Sequence, residues 1–505
     1  MTPEHGAAEE RERAQLSAVH RVLSHSGMTV DSLWRRYFAL GGGLGPLKVD
    51  AYVSGLTTLP ALDRDLLAQA LNEAVGDHGP RAVPFSRVMR DPRPLTGPLA
   101  AVLAVLEGMH LAEPGRIAAV TAAAGEALGV RLTLYLADYD QEGLHAVPGP
   151  QAPARTVMGL DTSVAGRAYR QLEMVPATGD GEARLWVPIV DGVERLGAME
   201  VLLDDPADLD DPLLAGHLTW VAAIIGHLVT ITTNYGDALD AVRRTRPRTP
   251  AAELVWQLLP PLTAGTDKIV VTGAVAPSDA VGGDAFDYAL SATTAHLAIF
   301  DAAGHSLGSG LVAAMAMSAY RSARRNGGRL FDQAMAIDAV VGGDGLAEGR
   351  MVTALLAELD LDSGRLRYIG AGHPYPLVVR RGKVVKALKE GRRSVFGMPA
   401  RTISVGEEDL EPGDWVILYT DGVTEARDHE GTFFGLDRFE DFLEREAGAG
   451  HPPPELVRRL MRNVLEHQRH VLQDDATVLV ARWGDARSDL TPWQAWPLAP
   501  SRPPA

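Results

Sequence analysis

Residues 295–325 read AHLAIFDAAGHSLGSGLVAAMAMSAYRSARR. The first seven residues have the apolar patterning of a strand that ends at Asp301, so an acid sits where a strand opens into a loop. The run 311–325 is rich in alanine and other strong helix formers and has no breaker, which predicts a helix soon after that loop, with its apolar face on the sheet.

Working outward, DKIVVTGAVAP at 267–277 predicts a preceding strand. Residues 352–388 predict three or four strands separated by Asp362-Ser363-Gly364, Gly372-His373-Pro374 and Arg381-Gly382, read as an antiparallel meander. GDWVILYTDG at 413–422 is a buried strand ending on Asp421, and DDATVLVARW at 474–483 starts a strand right after two acids. With helical patterns at 311–325 and 451–468, the expected architecture is two sheets sandwiched between helix layers, α/β/β/α.

Taken singly, each acid has an ordinary explanation, because GGD, TDG and DDAT are common turn sequences in which aspartate bonds its own backbone. Taken together, Asp284, Asp301, Asp421 and Asp474 are four carboxylates at strand ends, with Gly282, Gly283, Gly304 and Gly422 allowing close backbone approach. Mg²⁺ and Mn²⁺ take octahedral oxygen ligands and keep several waters, so a few converging carboxylates suffice. The chain has no cysteine, which excludes disulfides and thiolate metal sites. Its net charge of −17 argues against a nucleic-acid partner, which needs a basic face.

Five segments in order, VGGDAFD (281–287), IFDAAGHS (299–306), AGHPYPL (371–377), YTDGVTEA (419–426) and DDATVLV (474–480), resemble the metal-dependent PPM phosphatases of the SpoIIE and RsbU branch. The resemblance implies a protein serine/threonine phosphatase with two Mn²⁺ or Mg²⁺ ions. Asp301 is then the bridging, catalytic ligand, Ala302 lends its carbonyl oxygen, and Asp284, Asp421 and Asp474 complete the set. Such an ion pair activates water for in-line attack without a covalent phosphoenzyme. Asp287 and Asp475 are outer-shell candidates. His305 is a candidate proton donor to the leaving serine oxygen, or a brace for its loop. The family's D-V-S-G-H-G loop departs here to DAAGHSLGSG, with Ser306 in place of the glycine after the histidine. Arg321, Arg324 and Arg325 are expected to offset a helix dipole, with phosphoserine binding the alternative, and His373 to make a structural hydrogen bond in a hairpin-like turn.

At 505 residues the chain exceeds a single core, which stops growing at roughly 250–300 residues. The expected organisation is multidomain α+β: a small helical region at 1–75, a linker at 76–98, an α+β domain at 99–235, a helical linker at 236–262 broken by Pro247 and Pro250, the sandwich at 263–484, and a disordered Pro-rich tail at 485–505. In the second domain VRLTLYLADYD, the VAGRAYR element, and ARLWVPIV and LGAMEVLLDD joined by Asp191-Gly192 resemble a GAF sensor domain, which implies dimerisation or a small ligand. The apolar run Leu218–Thr232 falls short of the roughly 20 residues of a spanning helix and carries His227, so a buried or dimer-forming helix and no membrane segment is expected. The charged N-terminus lacks a signal-peptide core, and a cytoplasmic location is expected. By resemblance the substrate is a phosphoserine or phosphothreonine protein, a STAS-type anti-anti-sigma factor, with the opposing kinase on another chain. The alternative is a catalytically silent PPM-fold module, suggested by the altered GHS loop.

Overall fold

A computed structural model describes residues 3–75, 83–86, 97–150, 152, 157–179, 182–276, 282–304, 307–343, 350–399, 402–469 and 472–484. The chain divides into two compact units, Met1–Thr96 and Gly97–Ala505.

The first unit is helical: α1 (Pro3–Ser26), α2 (Val30–Ala39), α3 (Pro46–Val53) and α4 (Ala61–Val75). Its core is built on Leu33, Tyr37, Val49, Tyr52, Leu67 and Leu71. Part of the expected linker belongs to this unit. Val83 is buried, with its backbone bonded by both ends of the Asn72 amide at 3.0 and 2.7 Å. The buried Asp65 accepts from Ser86 N–H at 2.6 Å and from Gln15 at 2.9 Å. A short apolar residue amid Pro, Gly and charge gave too little periodicity to be seen in advance.

The second unit opens with α5 (Pro98–Met109), α6 (Ile117–Leu128), β1 (Arg131–Ala137), β2 (Gly143–Ala146), β3 (Val157–Gly159), α7 (Val164–Gln171), β4 (Val175–Gly179), β5 (Glu182–Asp191), β6 (Glu194–Leu203) and α8 (Pro212–Thr233). The strands form one sheet in the order β3-β2-β1-β6-β5-β4. One face packs on α5, α6 and α8, and the other lies under α7 with Tyr135, Trp186 and Tyr169 filling the space. α8 is longer than the apolar run suggested, because Asp211 caps it and Pro212 starts it. Its 22 residues are long and apolar enough to cross a bilayer by length and composition, yet Leu218, Val221, Ala222, Ile225 and Val229 are buried in the domain core. That burial accounts for one face of the helix, a third of the apolar window, while Leu213, Trp220 and Ile231 stay at the surface.

α9 (Asp237–Arg243) and α10 (Pro250–Leu258) follow, separated where Pro247 and Pro250 were expected to interrupt; the Thr249 hydroxyl caps α10 by accepting from Ala252 N–H at 3.2 Å. Next come β7 (Thr263–Gly265), β8 (Ile269–Ala276), β9 (Asp284–Leu290), β10 (Thr294–Ala302), α11 (Leu307–Arg325), α12 (Leu330–Val341), β11 (Val352–Asp360), β12 (Arg365–Ala371), β13 (Leu377–Arg380), β14 (Lys383–Ala387), β15 (Arg392–Arg393), β16 (Gly406–Asp409), β17 (Trp415–Tyr419), α13 (Asp421–Thr424), α14 (Leu436–Gly448), α15 (Pro453–His467) and β18 (Ala476–Trp483). One sheet runs β15-β12-β11-β10-β9 with β16 also on β12; the other runs β14-β13-β17-β18-β8-β7.

Three apolar layers hold this sandwich. Phe286, Leu297, Ile299, Leu418 and Leu479 lie between the sheets. Phe300, Val312, Met317 and Ile337 join the first sheet to α11 and α12, and Ile417, Val478, Phe442 and Leu460 join the second to α14 and α15. The expected α/β/β/α order is present, but the meander is not: β11 and β12 belong to one sheet, β13 and β14 to the other. Gly372-His373-Pro374 is therefore a crossover between sheets rather than a hairpin turn. Local patterning gives strands, while sheet membership is decided by distant partners.

A buried ionic network joins the central domain to the sandwich. Arg195 of β6 pairs with Glu455 of α15 at 3.1 Å and donates to the Pro454 carbonyl at 2.8 Å. Arg458 binds Glu455 at 2.9 Å and Asp161, just before α7, at 2.7 Å. The side chains of Arg195, Glu455 and Arg458 are at most 4% exposed.

Candidate metal centre

Strand alternation sorts the polar residues at one end of the sandwich. In β9, Phe286 and Tyr288 face the opposite sheet, so Asp284 does as well; in β10, Leu297 and Ile299 do, so Asp301 follows. Asp284 and Asp301 are direct cross-strand partners in the antiparallel register. From the second sheet, Leu418 and Leu479 carry the same phase forward to Thr420 and back to Thr477 and Asp475. Carboxylates from two sheets thus meet at the rim of the space between them.

Hydrogen bonds confirm the meeting. Thr420 Oγ1 donates to Asp284 Oδ2 at 2.7 Å, and Asp475 Oδ2 accepts from Gly283 N–H at 2.8 Å. Thr353, the register partner of Asp301 on β11, donates to Asp301 Oδ2 at 3.3 Å and shares a 2.8 Å contact with His373 Nδ1. Two glycines make the approach possible. A Cβ at Gly422 would lie 1.9 Å from the Asp475 carbonyl, and one at Gly283 2.6 Å from the Ala302 carbonyl. Asp284 and Asp475 are buried, whereas Asp421 and Asp474 stand exposed at the mouth. Asp421 opens the short helix α13 rather than ending β17, because the strand stops at Tyr419.

The electrostatics are those of crowded acids. Burial, then the charges of Asp421 and Asp474, push Asp301 up to about 7. Asp284 is raised well above the carboxylate range by burial and by Asp301 and Asp475, and Asp421, although surface-accessible, is raised by partial desolvation at the mouth and then by Glu425 and Asp474. Among the described residues no three acidic or imidazole side chains close to the spacing of a single ion's shell. The acids line an open rim instead, which suits a hard cation that keeps much of its own water. An all-oxygen donor set whose carboxylates raise one another's pKa fits Mn²⁺ or Mg²⁺.

The other expected residues lie as follows. Ala302 ends β10 beside Gly283, whose carbonyl accepts its N–H at 3.1 Å. Asp287 is not with the acids: three residues after Asp284 it faces α11, where Arg321 and Arg324 bind it at 2.7 and 3.2 Å. The odd spacing turns it to the opposite sheet face, and it gives those arginines a partner besides the helix dipole. His305, with Ser306, lies outside the described residues. His373 is buried, and desolvation holds its pKa down at about 3, so it stays neutral and acts as a brace. Thr353 and Thr420 were missed in the sequence; only their places, before Asp421 and across from Asp301, signal them.

Residues 291–484 match the family described as Stage II sporulation protein E (SpoIIE). Protein IcfG of Synechocystis is 29% identical over 129 residues, 26% of this chain and 20% of that protein. Phosphoserine phosphatase RsbU of Bacillus subtilis is 24% identical over 207 residues, 41% of this chain and 61% of that protein. The chain thus spans between a fifth and about three fifths of these curated relatives. Among solved structures, the SiaA-PP2C domain of Pseudomonas aeruginosa is 28% identical, covering 42% of this chain and 85% of that one, with a TM-score of 0.38. The acid-rimmed sandwich and the family match agree on the same stretch of sequence, and it is the C-terminal domain of this chain that carries the likeness to the SpoIIE family.

Proposed function

We propose that this protein is a cytoplasmic metal-dependent serine/threonine phosphatase, controlled by its GAF-like central domain, that dephosphorylates a STAS-type anti-anti-sigma protein in sigma-factor partner switching. The observation that carries the reading is the cross-strand pair Asp284–Asp301 facing acids delivered by the other sheet. The name of the Bacillus subtilis relative, a phosphoserine phosphatase, supports the substrate class.

Asp284, Asp301, Asp421, Asp474 and the Ala302 carbonyl are the groups that would hold two Mn²⁺ or Mg²⁺ ions, which when bound supply Lewis-acid polarisation of the phosphoryl group and an activated water. The chain's own work is positional. Thr420 fixes the Asp284 carboxylate, Asp475 fixes the backbone before it, and Thr353 fixes Asp301 against a neutral His373. A homodimer, as expected for a GAF-like module, has apolar surface available at Leu106 of α5 and Trp220 and Ile231 of α8, which are 51, 39 and 44% exposed.

The test is Mn²⁺-dependent hydrolysis of p-nitrophenyl phosphate and a phosphoserine peptide by the full chain. Activity is expected in the wild type and lost in Asp301→Ala and Asp421→Ala. No turnover with either metal would favour the silent-module alternative.

A further inference from the structure

Where the central domain meets the sandwich, the end of α8, α9, α10 and the segment leading into β7 line a partly open cavity of about 410 Å³. That is within the roughly 300–1,000 Å³ of small-molecule sites, which favour domain junctions. One wall is apolar, formed by Leu196, Leu259, Pro261 and Leu262. Another is the edge-on pair Tyr139 and Trp256, with centroids 5.0 Å apart. Arg248 stacks on Trp256 at 3.7 Å, but it lines the neighbouring cavity rather than this one.

Glu194 of β6 also lines this cavity, and among the described residues its carboxylate has one hydrogen-bonding neighbour, Thr263. A carboxylate accepts about four hydrogen bonds, so part of its capacity remains for a ligand. The arginines nearby are committed elsewhere. Arg243 donates to the Ala137 carbonyl at 2.9 Å and lies over Tyr139 at 4.4 Å; Arg244 binds Glu253 at 2.9 Å and Asp240 at 2.8 Å. Among the described residues Glu194 has no ion-pair partner, and burial pushes its pKa up to about 7 despite the charges of Arg243 and Arg195. By contrast the central sheet's other face is filled by Tyr135, Tyr169 and Trp186, each below 5% exposed.

We propose that the junction cavity binds a small organic cation, an amine or amidine on an aromatic or branched apolar body, with its N–H groups on Glu194 and its body between Trp256 and the Leu259–Leu262 wall. The pairing is charge-assisted.

The experiment is isothermal titration of the full chain with phenethylamine and benzamidine, with 2-phenylethanol as the uncharged control, on wild type, Glu194→Gln and Thr230→Phe. Thr230 lines the cavity from α8, and phenylalanine there would project its ring into the space the ligand body needs. Expected is saturable one-to-one binding of the cations, at least about tenfold weaker in Glu194→Gln, absent in Thr230→Phe, and absent for the alcohol. Circular dichroism shows whether Thr230→Phe folds; Glu194→Gln, close to isosteric, decides alone if it does not. No saturable binding to wild type, or equal affinity in the folded variants, overturns the proposal. Binding kept in Glu194→Gln and lost in Thr230→Phe overturns the carboxylate's role. Binding is read independently of phosphatase turnover.

Discussion

Two acids of this chain that lose water on folding, Asp301 and Glu455, behave in opposite ways. At the sandwich rim, burial and neighbouring carboxylates raise Asp301 to about 7. At the domain junction, burial again acts to raise Glu455, but the Arg458 hydrogen bonds and the charges of Arg195 and Arg458 outweigh it and hold the group at about 2. What separates them is the partner. The junction carries its own cations as arginines, fixed in the fold. Among the described residues no arginine or lysine pairs with Asp284, Asp301, Asp421 or Asp474 at the rim, which is the state a site must keep if a diffusible cation is to complete it.

The sharpest way to break this contrast is to remove the junction's acid. Glu455→Ala leaves Arg195 and Arg458 buried without it, and a loss of about 3–5 kcal/mol is expected in urea unfolding. At the rim the same kind of change goes the other way. Asp301→Asn relieves like-charge repulsion and is expected to raise the stability of the metal-free protein by roughly 1–2 kcal/mol, well below the full linkage value because the site is open. It should also abolish stabilisation by Mn²⁺, measured by thermal melts with and without the ion.

The pH dependence sharpens the same comparison. Glu455 has a folded pKa below its ordinary 4.5, so its contribution is full above about 4.5 and is lost as pH falls toward 2. Asp301 has a folded pKa above its ordinary 3.8, so its cost is absent below 3.8 and grows as pH rises to about 7. Glu194 adds to that neutral-side slope. Urea midpoints of the metal-free protein are therefore expected to peak in weakly acidic solution, with a shallower neutral side in Asp301→Asn. A smaller effect is expected of Thr353→Val, about 1 kcal/mol, from loss of the Asp301 and His373 contacts. Smallest is Arg365→Ala. It breaks an ion pair with Glu407 whose side chains are 56 and 44% exposed and screened by solvent, and an unfolding midpoint indistinguishable from wild type is expected in the same assay.

Much of the rim could be read in advance because strand alternation and motif order are local properties. The strand ending near Asp301, the helix behind it and the Asp191-Gly192 hairpin were all carried by short windows of sequence. Asp287 was misread because its proximity in sequence to Asp284 hid an odd spacing that reverses its face. The crossover at His373 was misread because a glycine-proline turn looks alike whether it returns within a sheet or passes to another. α12 and α14 went unmarked, although Phe439, Phe442 and Leu443 sit at helical spacing. The arginine network was out of reach altogether, since its partners are 260 and 297 residues apart.

That network bears on how such proteins can be rebuilt. Arg195 and Asp161 find their counter-charges on α15, a helix of the phosphatase domain itself. The central domain is thus not an interchangeable cassette. A chimera that grafts a foreign input domain before α10 would strand Glu455 and Arg458 without their outside partners, so a working exchange has to redesign the surface of α15 along with it.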